Sequence, residues 1–479
     1  MGTRIVTTPT SRVRFGSARA DITPPVGIYH RMWGAARHHQ ATGIHRPLFG
    51  DVLVFAPIDR STDRMIRAHL DLVSLNQKWH DDLVRALSEA TGIPPRDVVV
   101  TYSHTHSGGV FRPERISLPG GDLILRHIAQ LTERIAEAGR SAVASLQPAV
   151  ISYATGCCSL AANRDFWDDT ANAYVCGFNP DAPADDTLVL ARVTDPDGRL
   201  RATVVNYACH PTTLAWNNTL ISPDYIGAMR ETVEQSSGAP CVFAQGASGD
   251  LGPRFGYVGD PAVADQNGRQ LGHAALSAMA SLGPPSTDYR YGGPVISGAT
   301  LGVWEAAPLA AARLEETARF AGGSFTIDLP LRPTPKREEL EAELADWEIR
   351  QREADARTDI VAARDFGARA ERARRRLAQI ETLTAGDSYP FPFSVYRLGD
   401  AVWISTGGEP YNLLQAELRR RFPAQTLLVS PLAGGHGAGY LLPRDRYGKG
   451  LYQEEPSILA PGSLETLIDA IAARVTACA

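Results

Sequence analysis

The stretch Asp97-Val98-Val99-Val100-Thr101-Tyr102-Ser103-His104-Thr105-His106-Ser107-Gly108-Gly109 decides how the chain is read. Its first half is β-branched and aromatic, the composition of a buried strand. Its second half sets two histidines and two glycines directly beyond that strand. In an extended chain, residues two apart point to the same side, so His104 and His106 aim at one locus. Gly108 and Gly109 let a ligand approach the backbone closely. A plain turn carrying two surface histidines is the other reading that this segment alone leaves open.

Outward from it the same grammar repeats. Residues 51–57, 66–75, 200–209, 240–245, 400–406 and 425–430 read as strands bounded by Gly, Pro, Asp or Ser. Residues 80–92, 125–146, 267–283 and 464–477 carry helical spacing, several of them ending at glycine. Alternation of the two predicts an α/β fold, a mixed sheet core with flanking helices. Further strand ends then deliver chemistry. The strand at 200–209 runs into His210, and Pro211 stops it. The strand at 400–406 leads through Gly407 and Gly408 to Glu409. The strand at 425–430 leads through the glycine-rich 434–439 to Tyr440. Each alone has an ordinary explanation: a structural histidine, a loop acid, a flexible turn. Ligands in open α/β sheets gather beyond the carboxyl ends of strands, so the coincidence predicts a metal site there. Imidazole and carboxylate suit zinc. Phenolate is an uncommon ligand, and spacing alone does not select Tyr440.

Residues 334–386 differ in character. Thr334 offers a cap and Pro335 suits a first helical position. Leu340, Leu344 and Trp347 keep helical spacing, as do Phe366, Ala370, Ala373, Leu377 and Ile380, in a background dense in Arg and Glu. This predicts an inserted long helix pair, without the strict heptad of a coiled coil. The basic run Arg372–Arg376 reads as a solvated helix face.

Composition sets the outer bounds. With 479 residues, 44% hydrophobic and 21% charged, the chain is ordinary globular protein, either one large domain with insertions or two domains. A formal net charge of -5 gives no electrostatic footprint for nucleic acid. No run approaches 18 apolar residues, so no integral membrane segment is expected. The N-terminus shows no apolar signal region, and the cysteines form no CxxC pair, which points to reduced thiols and a cytoplasmic protein. The sequence is silent on oligomeric state.

Taken together, the residues resemble the catalytic domain of the neutral/alkaline, non-lysosomal ceramidases. The resemblance runs from Gly16-Ser17-Ala18-Arg19-Ala20-Asp21-Ile22-Thr23-Pro24 through Gly43-Ile44-His45 and the segment 104–109. It continues through Asn163-Arg164, His210-Pro211-Thr212, Ile221-Ser222-Pro223-Asp224, Gly249-Asp250, Gly408-Glu409 and the spacing of Tyr440, Tyr447 and Tyr452. It implies a zinc ion held by His104, His210, Glu409 and Tyr440. It implies Arg164 and Tyr452 as active-site polar groups, which the mechanism expects to stabilise an oxyanion, with His106 close to the zinc either as an outer-sphere support or as an acid-base group. The reaction it implies is hydrolysis of the N-acyl bond of ceramide, a lipid amide. It sets residues 14–479 as one catalytic domain with a helical insertion at about 334–386; the family usually adds a C-terminal immunoglobulin-like domain, which is not expected in this chain. Where the family has GDVSPN, this chain has Gly249-Asp250-Leu251-Gly252-Pro253-Arg254. The expected substrate is therefore a smaller soluble N-acyl compound. A zinc-dependent esterase, deacylase or lyase on a polar substrate, and a binding protein without catalysis, are the alternatives.

Overall fold

The computed structural model describes residues 4–59, 63–381, 383, 386–435 and 437–478. Residues 382, 384 and 385, at the end of the expected insertion, lie outside the described residues, as does His436 in the glycine-rich loop. The centre is an eight-stranded mixed sheet. Its order is Cys241–Gln245, Leu200–Tyr207, Thr187–Thr194, Gln147–Cys157, Thr10–Asp21, Phe49–Ala56, Met65–Leu70 and Val98–Tyr102. The outer pair at each edge is parallel, and the strands between are antiparallel. The sheet coils until its two edge strands touch. That curvature brings the ends of Val98–Tyr102 and Leu200–Tyr207 to one place although they belong to opposite sides of the sheet.

A second sheet of four strands, Phe320–Pro330, Ser388–Leu398, Ala401–Thr406 and Thr426–Ser430, lies on the inner face of the first. Strand alternation sorts the layers. Leu53 and Phe55 pack toward Trp403 and Leu428 of the second sheet, while Val52 and Val54 pack toward the helices Gln77–Thr91 and Ile124–Ala144. Elsewhere on the same outer face lie Tyr225–Ser237 and Pro261–Ala280. The far side of the second sheet is covered by Leu413–Arg421 and Ser463–Ala477. The result is helix, sheet, sheet, helix. Asn206 ties the two sheets by donating from Nδ2 to the Val429 carbonyl at 2.9 Å and accepting from the Val429 amide at 3.1 Å.

Several expectations shift. The strand expected over 66–75 stops at Leu70, where Leu72 and Val73 turn to offer their carbonyls to His104. The strand Thr10–Asp21 and the hairpin Thr287–Ser297 with Ala299–Pro308 are additional to those read from the sequence. The helix pair is present as Arg337–Ala356 and Ile360–Glu381, with Trp347 stacked on Phe366 at 5.8 Å. It starts later than expected: Lys336, and not Thr334, is the cap, and Pro335 lies outside the helix. Among the described residues, no helix is long and apolar enough to cross a membrane.

Candidate metal centre

His104 and His210 are each aimed by a backbone carbonyl. His104 adopts a left-handed backbone with φ 68°, an uncommon conformation for a residue with a side chain, and its Nδ1 donates to the Val73 carbonyl at 2.9 Å. His210 Nδ1 donates to the Ser248 carbonyl at 2.8 Å. A carbonyl can only accept, so both rings carry a proton on Nδ1 and turn Nε2 inward. Glu409 enters from the second sheet after Gly408, which has φ 62°; a Cβ there would meet Leu441 Cδ1 at 2.7 Å. Its Oε2 stands 3.2 Å from His104 Nε2 and 3.3 Å from His210 Nε2.

Charge makes this arrangement informative. Burial pushes His210 down to about 3, so that ring is neutral at pH 7. Inward-facing Nε2 lone pairs therefore confront a carboxylate oxygen that no hydrogen-bond donor reaches among the described residues. Acceptors crowded in this way repel one another unless a cation lies among them. Imidazole nitrogens and a carboxylate, with the far ring nitrogens fixed on carbonyls, are a donor set that fits zinc.

The other sequence candidates gather around this point. Ligand nitrogens of His104, His106 and His210 all lie within 4.8 Å of one another. His106 Nε2 is buried without a partner, and burial followed by His104 pushes its proton affinity far below the ordinary histidine value. The Tyr440 hydroxyl lies 3.5 Å from His210 Nε2 and accepts from Arg164 Nη2 at 3.1 Å. Arg164 also donates to the Gly249 carbonyl at 2.7 Å, so it is committed to holding the phenol. The short parallel pairing of Glu409 with Tyr440 fixes these two side chains relative to each other. Tyr452 stands edge-on to Tyr440 at 6.0 Å and is 49% exposed, bordering the centre on its solvent side.

The sequence reading missed the aromatic wall. Trp33 lies 5.3 Å from the His106 ring, 5.9 Å from Tyr257 and 6.2 Å from Trp216. His30, whose Nε2 meets the Ser107 carbonyl at 3.0 Å, ties the segment before Trp33 to the histidine turn. A tryptophan among Gly and Ala in a long connection is the signal that was available. The helix pair buttresses that connection: Arg375 donates to the Met32 carbonyl, and Glu371 accepts from Arg375 at 2.8 Å and from Arg115 at 3.1 Å.

Comparison with known proteins places this geometry. The profile of the family described as neutral/alkaline non-lysosomal ceramidase, N-terminal, matches residues 13–262, just over half of the chain. A neutral ceramidase of Pseudomonas aeruginosa is 26% identical over 251 residues, 50% of this chain; the match spans 37% of that relative's length. The crystal structure of a neutral ceramidase from Pseudomonas aeruginosa superposes with a TM-score of 0.65 at 17% identity, over 98% of this chain and 74% of the other. A ceramidase complexed with C2 gives 0.64 at 16% identity, over 98% and 75%. These superpositions establish a shared fold.

Proposed function

The chain belongs to the neutral/alkaline non-lysosomal ceramidase family, a family of ceramidase-like hydrolases, and from that premise we propose that it is a zinc-dependent hydrolase of an N-acyl amide bond. The observation that carries the reading is the unpartnered Glu409 Oε2 facing the Nε2 atoms of His104 and His210. His104, His210, Glu409 and Tyr440 hold the ion. When bound, zinc supplies Lewis-acid polarisation of the scissile carbonyl and acidifies a water.

The remaining steps belong to the chain's own groups. Neutral His106, with Nε2 free, takes a proton from the attacking water and returns one to the leaving amine. Tyr452 donates its hydroxyl to the developing oxyanion. Arg164 acts through Tyr440, keeping its phenol oriented. Residues 14–479 serve as one catalytic domain. The substrate is an N-acyl compound smaller and more polar than ceramide. The arginine-rich surface of the helix pair supports this. Free, buried Cys158, Cys209 and Cys241 support a cytoplasmic location.

The test is metal analysis combined with turnover of a panel holding long-chain ceramide, short N-acyl amines, N-acyl amino acids and matched esters. About one zinc per chain and hydrolysis of amides, with the short polar ones preferred, is the expected result. Protein that neither carries nor takes up zinc ends the reading. Turnover confined to the esters replaces amide hydrolysis with ester hydrolysis, and a higher kcat/KM on ceramide reverses the substrate size.

A further inference from the structure

Beneath the metal centre, between the two sheets, lies a second buried polar cluster with the opposite chemistry. Arg67 is 0% exposed and points from the central sheet toward the second. Its Nη1 donates to Ser405 Oγ at 2.7 Å, and its guanidinium lies over the Trp403 ring at 5.3 Å. Its Nε and Nη2 meet nothing among the described residues. No carboxylate among the described residues pairs with it. Burial pushes Arg67 down to about 10, so it still carries its charge at neutral pH.

The groups facing Arg67 are hydroxyls and one imidazole. Strand register aligns Ser394 with Ser405 and Ser405 with Ser430, a row across three neighbouring strands. All three sit on the face that carries Tyr396, Trp403 and Leu428 into the core between the sheets. All three are buried, and the hydroxyls of Ser394 and Ser430 are unpartnered. His69, two residues along the strand from Arg67 and on the same face, is also buried. Its Nδ1 meets Thr101 Oγ1 at 2.7 Å and its Nε2 is unpartnered. In the tautomer in which the threonine hydroxyl donates to Nδ1, the ring carries its proton on Nε2, which faces the cluster's positive charge as a donor. The cluster thus offers donors from Arg67, His69, Ser394 and Ser430 around one uncompensated positive charge.

We propose that this locus binds a monovalent inorganic anion of the halide class, chloride in an ordinary buffer, between Arg67 and the serine row. A spherical anion accepts from all sides and needs no fixed lone-pair directions, which suits donors converging from two sheets. Buried water could saturate some of these groups but would leave the guanidinium charge unneutralised. The anion would lie close beneath the centre on shared strands, since Ser405 precedes Glu409 by four residues and Thr101 precedes His104 by three. The proposal is independent of the amidase reading.

The full chain, metal-loaded as purified, is dialysed into gluconate at fixed ionic strength and titrated with chloride. The melting temperature should rise and saturate, the behaviour of a ligand that binds only the folded state. Arg67→Met should melt at one temperature across the titration. If that variant does not fold, Ser394→Ala combined with Ser430→Ala should raise the half-saturating chloride about tenfold. Crystals grown in bromide should show an anomalous peak within hydrogen-bond reach of Arg67 Nη2 and Ser430 Oγ. A melting temperature indifferent to chloride overturns the proposal, as does a bromide map with only water at the locus.

Discussion

The candidate metal centre and the helix pair Arg337–Glu381 are built by opposite means. In the centre, His104, His210 and Glu409 come from distant segments, and none is more than 8% exposed. Their geometry exists only because a coiled sheet and a second sheet deliver strand ends to one point. The helix pair is made of neighbours in sequence. It is laced with exposed pairs three or four residues apart, such as Arg337 with Glu341 and Arg350 with Asp346. It reaches the body through a buried node at Glu371 and through Arg372, Arg376 and Gln379, which meet Glu455 and the Pro456 carbonyl. The contrast implies that single changes in the centre remove function without unfolding the chain. In the helix pair they shift stability by amounts that local rules set, while leaving the chemistry in place.

The widest separation should come from the ligands. His210→Ala and Glu409→Ala should each lose the zinc and bring turnover below detection, with the far-UV spectrum unchanged. Metal analysis and turnover measured on the same preparation check this. Full zinc and full turnover in both variants would show that the ion is held elsewhere and that the contrast is drawn around the wrong residues.

Next come the tyrosines, which sharpen the boundary of the centre. Tyr452→Phe should lower kcat about 10²–10³-fold with zinc retained, the cost of one oxyanion donor. Tyr440→Phe should weaken zinc retention, because it removes the hydroxyl that lies 3.5 Å from His210 Nε2. Metal content and kcat of the pair decide. Zinc lost from the first and kept in the second reverses the roles.

What the sequence made legible follows the same division. The helix pair was readable from periodicity, with its cap at Lys336 rather than Thr334 and its second helix ending at Glu381, short of Gly386. The centre was readable as strand ends carrying His104, His210 and Glu409, since glycine and proline mark where such strands stop. Tyr440 and Tyr452 were reached through family resemblance, because a phenol has no spacing signature. The strand Thr10–Asp21 was missed because its alternation is broken by arginines and serines, several of which are nonetheless buried or half-buried. Arg67 and the serine row escaped for a related reason. A polar residue inside a strand reads as solvent-facing until a second sheet covers it, and that coverage is a tertiary fact. Trp33 was missed because no periodic element surrounds it.

A smaller effect is expected at the node of the helix pair. Burial alone would raise Glu371, but Arg375 and Arg115 hold it at about 2, below the ordinary 4.5. A depressed carboxyl stabilises the fold above its unfolded value, and that contribution is lost as pH falls from about 4.5 through about 2. The displacement corresponds to about 3 kcal/mol. Glu371→Gln should therefore lower stability by about 3 kcal/mol at pH 7, leaving Arg115 buried without its partner. The gap from wild type should narrow steadily below pH 4.5. Denaturant melts at a series of pH values check both statements, and a gap that stays constant down to pH 2 would remove Glu371 as the anchor. Turnover at pH 7 should change less than the tyrosine variants change it.

The smallest effect, and the one that isolates local rules most cleanly, concerns the start of the pair. Lys336 occupies the cap with φ -69° and ψ 149°, the extended conformation a capping residue needs. Its amide donates to Glu339 Oε2 at 3.2 Å, which satisfies half of a reciprocal cap. The other half is missing, because an ammonium has no lone pair to accept the Glu339 amide. A positive charge also sits at the end of the helix where the dipole favours a negative one. Lys336→Ser supplies the acceptor and removes the charge without touching the body of the protein. It should stabilise the chain by about 0.5–1 kcal/mol, read as a higher denaturant midpoint at unchanged slope. Zinc content and kcat should match wild type, since the substitution lies at the exposed start of the pair, whereas the contacts of the pair near the centre come from Glu371, Arg375, Arg376 and Gln379 on its second helix. A stabilisation accompanied by altered turnover would mean that the helix pair is coupled to the centre along its whole length, and the division between the two regions would have to be redrawn.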